Sequence, residues 1–154
     1  MKDKFTIGVL LYGDHPELAE RCLRSITDTV RLEDLNLRVG MNDVSDRVRD
    51  WVTQWVPQEN IYNFPQNIHK YPLMRQMIHG MRPVETDYFM WFDDDSYLHG
   101  HSQIEANNNP YWLQHVEHTM VNSDLIGSIY TIGWQGQQRE FVKAQPWYNG
   151  KDPS

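Results

Sequence analysis

At 154 residues, with 40% hydrophobic and 23% charged content, the chain is long enough for one domain with a real core and too short for two comfortable ones, and disorder is not expected. Its formal net charge of −7 argues against the broad phosphate-gripping surface that non-specific nucleic-acid binding needs, while leaving room for a local basic groove. A lone cysteine, Cys22, excludes an intrachain disulfide and a thiolate metal site and fits a reducing, cytoplasmic setting.

The first apolar run, Phe5 to Leu11, reads as a strand buried on both faces. It is too short for a signal peptide, and no run approaches a membrane span, so no membrane segment is expected. Tyr12-Gly13-Asp14-His15-Pro16 is a turn, in which Asp14 and Glu17 have the spacing of a capping box. Leu18, Cys22, Leu23, Ile26 and Val30 then mark the face of a helix. A second strand is expected over Leu35 to Met41, followed by the polar turn Asn42-Asp43-Val44-Ser45-Asp46 with Ser45 as N-cap. Val48, Val52 and Trp55 line the next helix, which must stop before Pro57.

Asn60 to Phe64 is a short third strand, and a loop over 65–71 leads to a third helix with Pro72 in its first turn and a stripe of Leu73, Met77, Ile78 and Met81. Asp87 to Phe92 is a fourth strand, expected to be buried, and it runs straight into Asp93-Asp94-Asp95. A polar stretch containing His99-Gly100-His101 follows. A fourth helix begins near Asn109-Pro110, with Trp112, Val116 and Met120 on one face. Leu125 to Ile132 reads as a fifth strand, closed by the turn around Trp134.

Short apolar runs alternating with amphipathic ones are the pattern of an α/β fold with an open, mainly parallel, Rossmann-like sheet. In such a sheet the carboxyl ends of the strands share one edge. Gly13-Asp14, Asn42-Asp43 and Asp93-Asp94-Asp95 each follow a strand, so the topology collects them in one crevice. Three adjacent carboxylates repel one another and resist dehydration, so a cation or a row of donors is expected to balance them. Mn²⁺ or Mg²⁺ suits such a site, since these ions bind through one or two carboxylates together with phosphates and water.

In the order of these motifs the chain resembles the nucleotide-binding half of the GT-A glycosyltransferases, especially the large family-two type. The matching features are the first strand ending in Leu11-Tyr12-Gly13, the turn Asn42 to Asp46, the segment from Asn67 to Arg75, and Asp93-Asp94-Asp95 as a DXD motif. They cover roughly the first two-thirds of the chain. The resemblance implies one domain over 1–154, with 1–95 as the nucleotide-binding half and 96–154 as a short acceptor-side portion. It further implies that Tyr12 and Asp43 flank the nucleotide base and that Arg75 lies near the base or diphosphate. Asp93 would then meet the ribose or a metal-bound water, Asp94 would belong to the same nucleotide site, and Asp95 would coordinate the metal.

The activity so implied is sugar transfer from a nucleotide-diphosphate donor, most simply a UDP-sugar, to a hydroxyl acceptor. That acceptor is of undefined class: a glycan, a protein or a modified nucleic acid. Self-association into a homo-oligomer is left open. Blander readings stand beside these. Asp43 is also an ordinary turn former, Arg75 also suits the exposed face of its helix, and the pair His99 and His101 is either a metal-side group or a polar loop. Trp134 either contacts acceptor or sugar or packs its own turn, and His115 and His118 read as surface residues. The catalytic base is not identified. Two rivals to the enzyme follow. One is a shortened relative that binds nucleotide and metal, or another protein, without transfer. The other is a sugar-1-phosphate nucleotidyltransferase, against which the turn Tyr12 to Pro16 argues because it holds no Arg or Lys.

Overall fold

A computed structural model of the chain describes residues 4–31, 34–98 and 112–124. The chain divides into two compact units, Met1–Pro110 and Tyr111–Ser154. In the first, β1 (Phe5–Gly13), β2 (Asn36–Val44), β3 (Ile61–Phe64) and β4 (Tyr88–Asp93) form a four-stranded sheet in the order β3-β2-β1-β4, with every pairing parallel. The helices α1 (Pro16–Thr27), α2 (Asp46–Trp55) and α3 (Lys70–His79) connect successive strands. Right-handed crossovers fix their sides. The chain moves one way across the sheet from β1 to β3 and then returns past β1 to reach β4. So α1 and α2 cover one face and α3 the other.

The sheet surface facing α1 and α2 is apolar, although α1 also buries the polar Ser25. Phe5, Ile7, Val9 and Leu11 alternate along β1, and Leu37, Val39 and Met41 along β2, all at most 2% exposed. Burying each of the larger ones contributes about 1.5–3 kcal/mol. The helices above contribute Ala19, Cys22, Leu23 and Ile26 from α1 and Val48 and Val52 from α2. Ser45 caps α2 as its sequence position implies, accepting from the Val48 N–H at 3.3 Å. The expected capping box at α1 does not form: His15 is the N-cap, without a side-chain cap bond, and Pro16 is the first helical residue. Asp14 is engaged elsewhere, accepting from Ser45 Oγ at 2.5 Å and facing Arg47 at 3.7 Å.

The α3 face is built differently. Leu10, Leu73 and Met77 form its buried cluster, flanked by Tyr62, Phe64, Ile68 and Trp91. Two glycines let these groups approach. A Cβ on Gly8 would lie 2.6 Å from Phe89 Cζ, and one on Gly40 would lie 2.7 Å from Met77 Sδ and 2.8 Å from Leu73 Cδ2. On β2, paired with Gly8 and two residues before Gly40, sits Arg38, only 7% exposed. Its guanidinium donates to the carbonyls of Met77, of Arg82 at 2.6 Å and of Pro83 at 3.0 Å, fastening the end of α3 and the loop beyond it to the sheet. Burial pushes the Arg38 pKa down from its ordinary value, and the charge survives on carbonyl dipoles.

Several expectations are corrected. β2 runs on to Val44, so Asn42 and Asp43 belong to the strand rather than to a free turn. Trp55 is 52% exposed, with the Arg24 guanidinium 5.3 Å from its ring, because α2 ends there and turns that side chain outward. Met81 lies past the end of α3 and is fully exposed. β4 is half-buried along its whole length rather than buried, since in the described sheet it pairs only with β1. In the second unit α4 (Trp112–Met120) forms as expected, and His118 is exposed. The expected fifth strand and the Trp134 turn lie outside the described residues. Among the described residues no helix is long and apolar enough to cross a membrane.

Candidate functional site

The reversal of strand order between β1 and β4 creates a crevice at their carboxyl ends, because the connections leaving the two strands diverge to opposite faces. A cleft of about 350 Å³ opens there. Leu10 and Tyr12 line it from β1, Asn42 from β2, Asn67 and His69 from the β3–α3 connection and Lys70 from the first position of α3, with Asp93, Asp94 and Asp95 on the remaining side.

β4 ends at Asp93 and the chain turns at Asp94 and Asp95, which sends the three carboxylates in different directions. Asp93 shares a face with Trp91, whose indole Nε1 donates to Asp93 Oδ1 at 2.9 Å, while Lys70 Nζ holds Oδ2 at 2.5 Å. The Lys70 ammonium also lies 6.0 Å from the Trp91 ring. Asp94 accepts instead from the Tyr12 backbone N–H, its Oδ2 at 3.2 Å, which ties the turn after β4 to the end of β1. Burial pushes the Asp94 carboxyl above the usual carboxylate range and neighbouring Asp95 adds to this, against the Tyr12 hydrogen bond. Asp95 is exposed, and its carbonyl accepts from Arg21 at 3.4 Å. Beneath them Cys22 Sγ donates to the Asp93 carbonyl at 3.6 Å. Burial first, then the charge of Asp94, pushes this thiol up to about 12, which leaves it unreactive. A row of donors therefore balances much of the acidic cluster.

On the opposite lip an amide network sets the backbone. Asn42, 3% exposed, donates to Asn67 Oδ1 at 3.0 Å and accepts from the Ile68 N–H at 2.9 Å, and Asn67 Oδ1 also accepts from the His69 N–H at 2.7 Å. This pins the β3–α3 connection to the end of β2. Asp43 is a bulge residue: Tyr12 pairs with Asn42 and Gly13 with Val44, and Asp43 between them has φ +55°. His69 has φ +66°. These are the two non-glycine residues with positive φ among those described, and one lies on the cleft wall while the other adjoins Asn42 on it.

Of the residues singled out in the sequence, Tyr12, Asp93, Asp94 and Asp95 meet in the cleft. Asp43 is exposed and adjoins the lining rather than forming it. Arg75 is on the exposed face of α3, in a separate surface depression with Tyr71, Pro72 and Gln76. His99, His101 and Trp134 lie outside the described residues. Lys70, His69 and Asn67 are cleft residues that the sequence does not single out one by one, although the segment from Asn67 to Arg75 is one of the features of the resemblance. Periodicity carried no signal for Lys70, which reaches Asp93 only because α3 crosses over to β4.

Among the described residues no three His, Cys, Asp or Glu side chains converge on a point where they could cage a cation. Asp95 alone of the three carboxylates is exposed, and it offers a hard oxygen at the cleft that an ion held mainly by phosphates and water would need from the protein. Against protein-family models and the curated proteins, the sequence matches no family and no protein significantly.

Proposed function

We propose that the protein is a metal-dependent glycosyltransferase of the GT-A kind, which takes a sugar from a nucleotide-diphosphate donor, most simply a UDP-sugar. The observation that carries this reading is the meeting of Tyr12 and Asp93-Asp94-Asp95 at the switch point of a parallel sheet, locked by the bond from the Tyr12 N–H to Asp94. Tyr12, 46% exposed, offers a ring at the cleft for the base to stack on. Asp95 would hold the divalent cation together with the donor's diphosphate. When bound, that cation supplies charge neutralisation for the leaving diphosphate as the glycosidic bond breaks. The bond from Tyr12 to Asp94 holds the acidic lip against the end of β1, and the Asn42 and Asn67 amides set the other lip, so that the donor would enter a preformed cleft.

One observation favours a second reading, a nucleotide- and metal-binding relative that does not catalyse transfer: both oxygens of Asp93 are already engaged within the protein, by Lys70 and Trp91. A turnover assay separates the two. For the enzyme, hydrolysis or transfer of a UDP-sugar is expected to require Mn²⁺ and to be lost in Asp95→Ala. Calorimetric UDP binding without turnover supports the binder, and absence of both UDP and GDP binding contradicts each reading.

A further inference from the structure

We propose that Lys70 is the side chain that grips the donor's diphosphate, and that its ion pair with Asp93 is the parked state of that grip. The inference rests on the donor-site reading and adds to it a residue that neither the motif order nor the periodicity singled out.

Four observations converge on it. First, among the described residues lining the 350 Å³ cleft, Lys70 is the one Lys or Arg, and it faces the three carboxylates Asp93, Asp94 and Asp95. A dianionic diphosphate entering this cleft needs a cation from the protein as well as any metal, and Arg75 faces a different depression. Second, the Lys70–Asp93 pair is half-exposed, the two side chains retaining 44% and 34% of their accessible surface. Pairs of this kind contribute little, so exchanging one anion for another is inexpensive. Third, Asp93 keeps a donor when Lys70 leaves, because Trp91 Nε1 holds its other oxygen at 2.9 Å. The Trp91 ring lies 6.0 Å from the ammonium and gives it a second favourable neighbour beside the cleft. Fourth, the residue is a lysine: a compact charge on a flexible stem can move between two anions, whereas an arginine fork favours one planar partner.

A purely structural ion pair makes the opposite forecast, so the two can be told apart. Wild type, Lys70→Met and Lys70→Arg would be titrated calorimetrically with inorganic pyrophosphate in the presence of Mn²⁺, with UDP and Mn²⁺, and with Mn²⁺ alone, and thermal melts would confirm that each is folded. The expected results are a pyrophosphate affinity at least about tenfold weaker in Lys70→Met, as befits loss of a charge-assisted bond, and a smaller loss in Lys70→Arg, whose fork keeps the charge but favours its partner Asp93. Mn²⁺ alone should bind about two- to fivefold tighter to Lys70→Met, because a competing cation has gone from Asp93. Unchanged pyrophosphate binding in Lys70→Met overturns the grip, whatever its melt shows, and equal or weaker Mn²⁺ binding overturns the parking. If wild type binds UDP and only the Lys70 effects are missing, the donor site stands and this assignment falls. If wild type binds neither pyrophosphate nor UDP, both fall together.

Discussion

On the α1/α2 side of the sheet, β1 and β2 present Ile7, Val9, Leu11, Leu37, Val39 and Met41, while on the α3 side the same strands present Gly8, Leu10, Arg38, Gly40 and Asn42. One face is filled by large apolar side chains. The other leaves space at its glycines, and α3 and Phe89 use it. The first is a foundation that any parallel sheet needs. The second carries Asn42, Trp91 and Asp93 up to the cleft, so the functional edge grows out of the less regular face.

The contrast can be broken most forcefully on the regular face. Ile26→Ala, at a site with no exposed surface, should lower unfolding free energy by about 4 kcal/mol through lost burial and an unfilled cavity, measurable by urea denaturation. Next comes the staple on the other face. Arg38→Met leaves the Met77, Arg82 and Pro83 carbonyls without their donor and should cost about 3 kcal/mol. Near-neutrality there would mean that water replaces the guanidinium and that the staple is incidental. Enlarging Gly40 tests the same face from the opposite direction. Gly40→Ala should cost about 2 kcal/mol by overpacking against Met77 and Leu73, although adding a methyl elsewhere in a strand usually helps. A stabilised Gly40→Ala would show that the α3 face has slack and that the comparison is overdrawn.

The smallest expected effect lies at the cleft. Burial raises the folded-state pKa of Asp94 above the value of about 3.9 typical of an unfolded chain. Between those values the folded protein binds more protons than the unfolded one, so this contribution to stability is present below the unfolded pKa and is lost as pH rises through the folded pKa. Asp94→Asn keeps an acceptor for the Tyr12 N–H and removes the charge. Its stability relative to wild type should therefore grow as pH rises above about 4, by less than about 1 kcal/mol because the carboxyl is only half-buried. A relative stability that falls with pH would mean that the ionised form is the favoured one.

How much the sequence disclosed follows the same division. Alternation and 3.6-residue spacing report which side chains leave water, so the strands, α1 to α3 and the Ser45 cap could be read from it. The parallel topology brought Asn42 and Asp93 to Asp95 to one edge while leaving Gly13, Asp14 and Asp43 outside the lining. Periodicity is silent on polar groups that bond across long sequence distances. Arg38 binds carbonyls some forty residues on. Lys70 finds Asp93 only through a crossover, and the Asp43 bulge depends on how β2 is paired rather than on Asp43 itself. The failed capping box at Asp14 has the same cause, since a partner from the next strand's end, Ser45, outcompeted the local one.

The most direct test is a crystal structure of the protein grown with UDP and Mn²⁺. The account expects the diphosphate between the Tyr12 turn and Asp95, the ion on Asp95, and Lys70 withdrawn from Asp93 toward the phosphates. Nucleotide seated away from the β1–β4 edge, or a cleft left empty at saturating ligand, would contradict it.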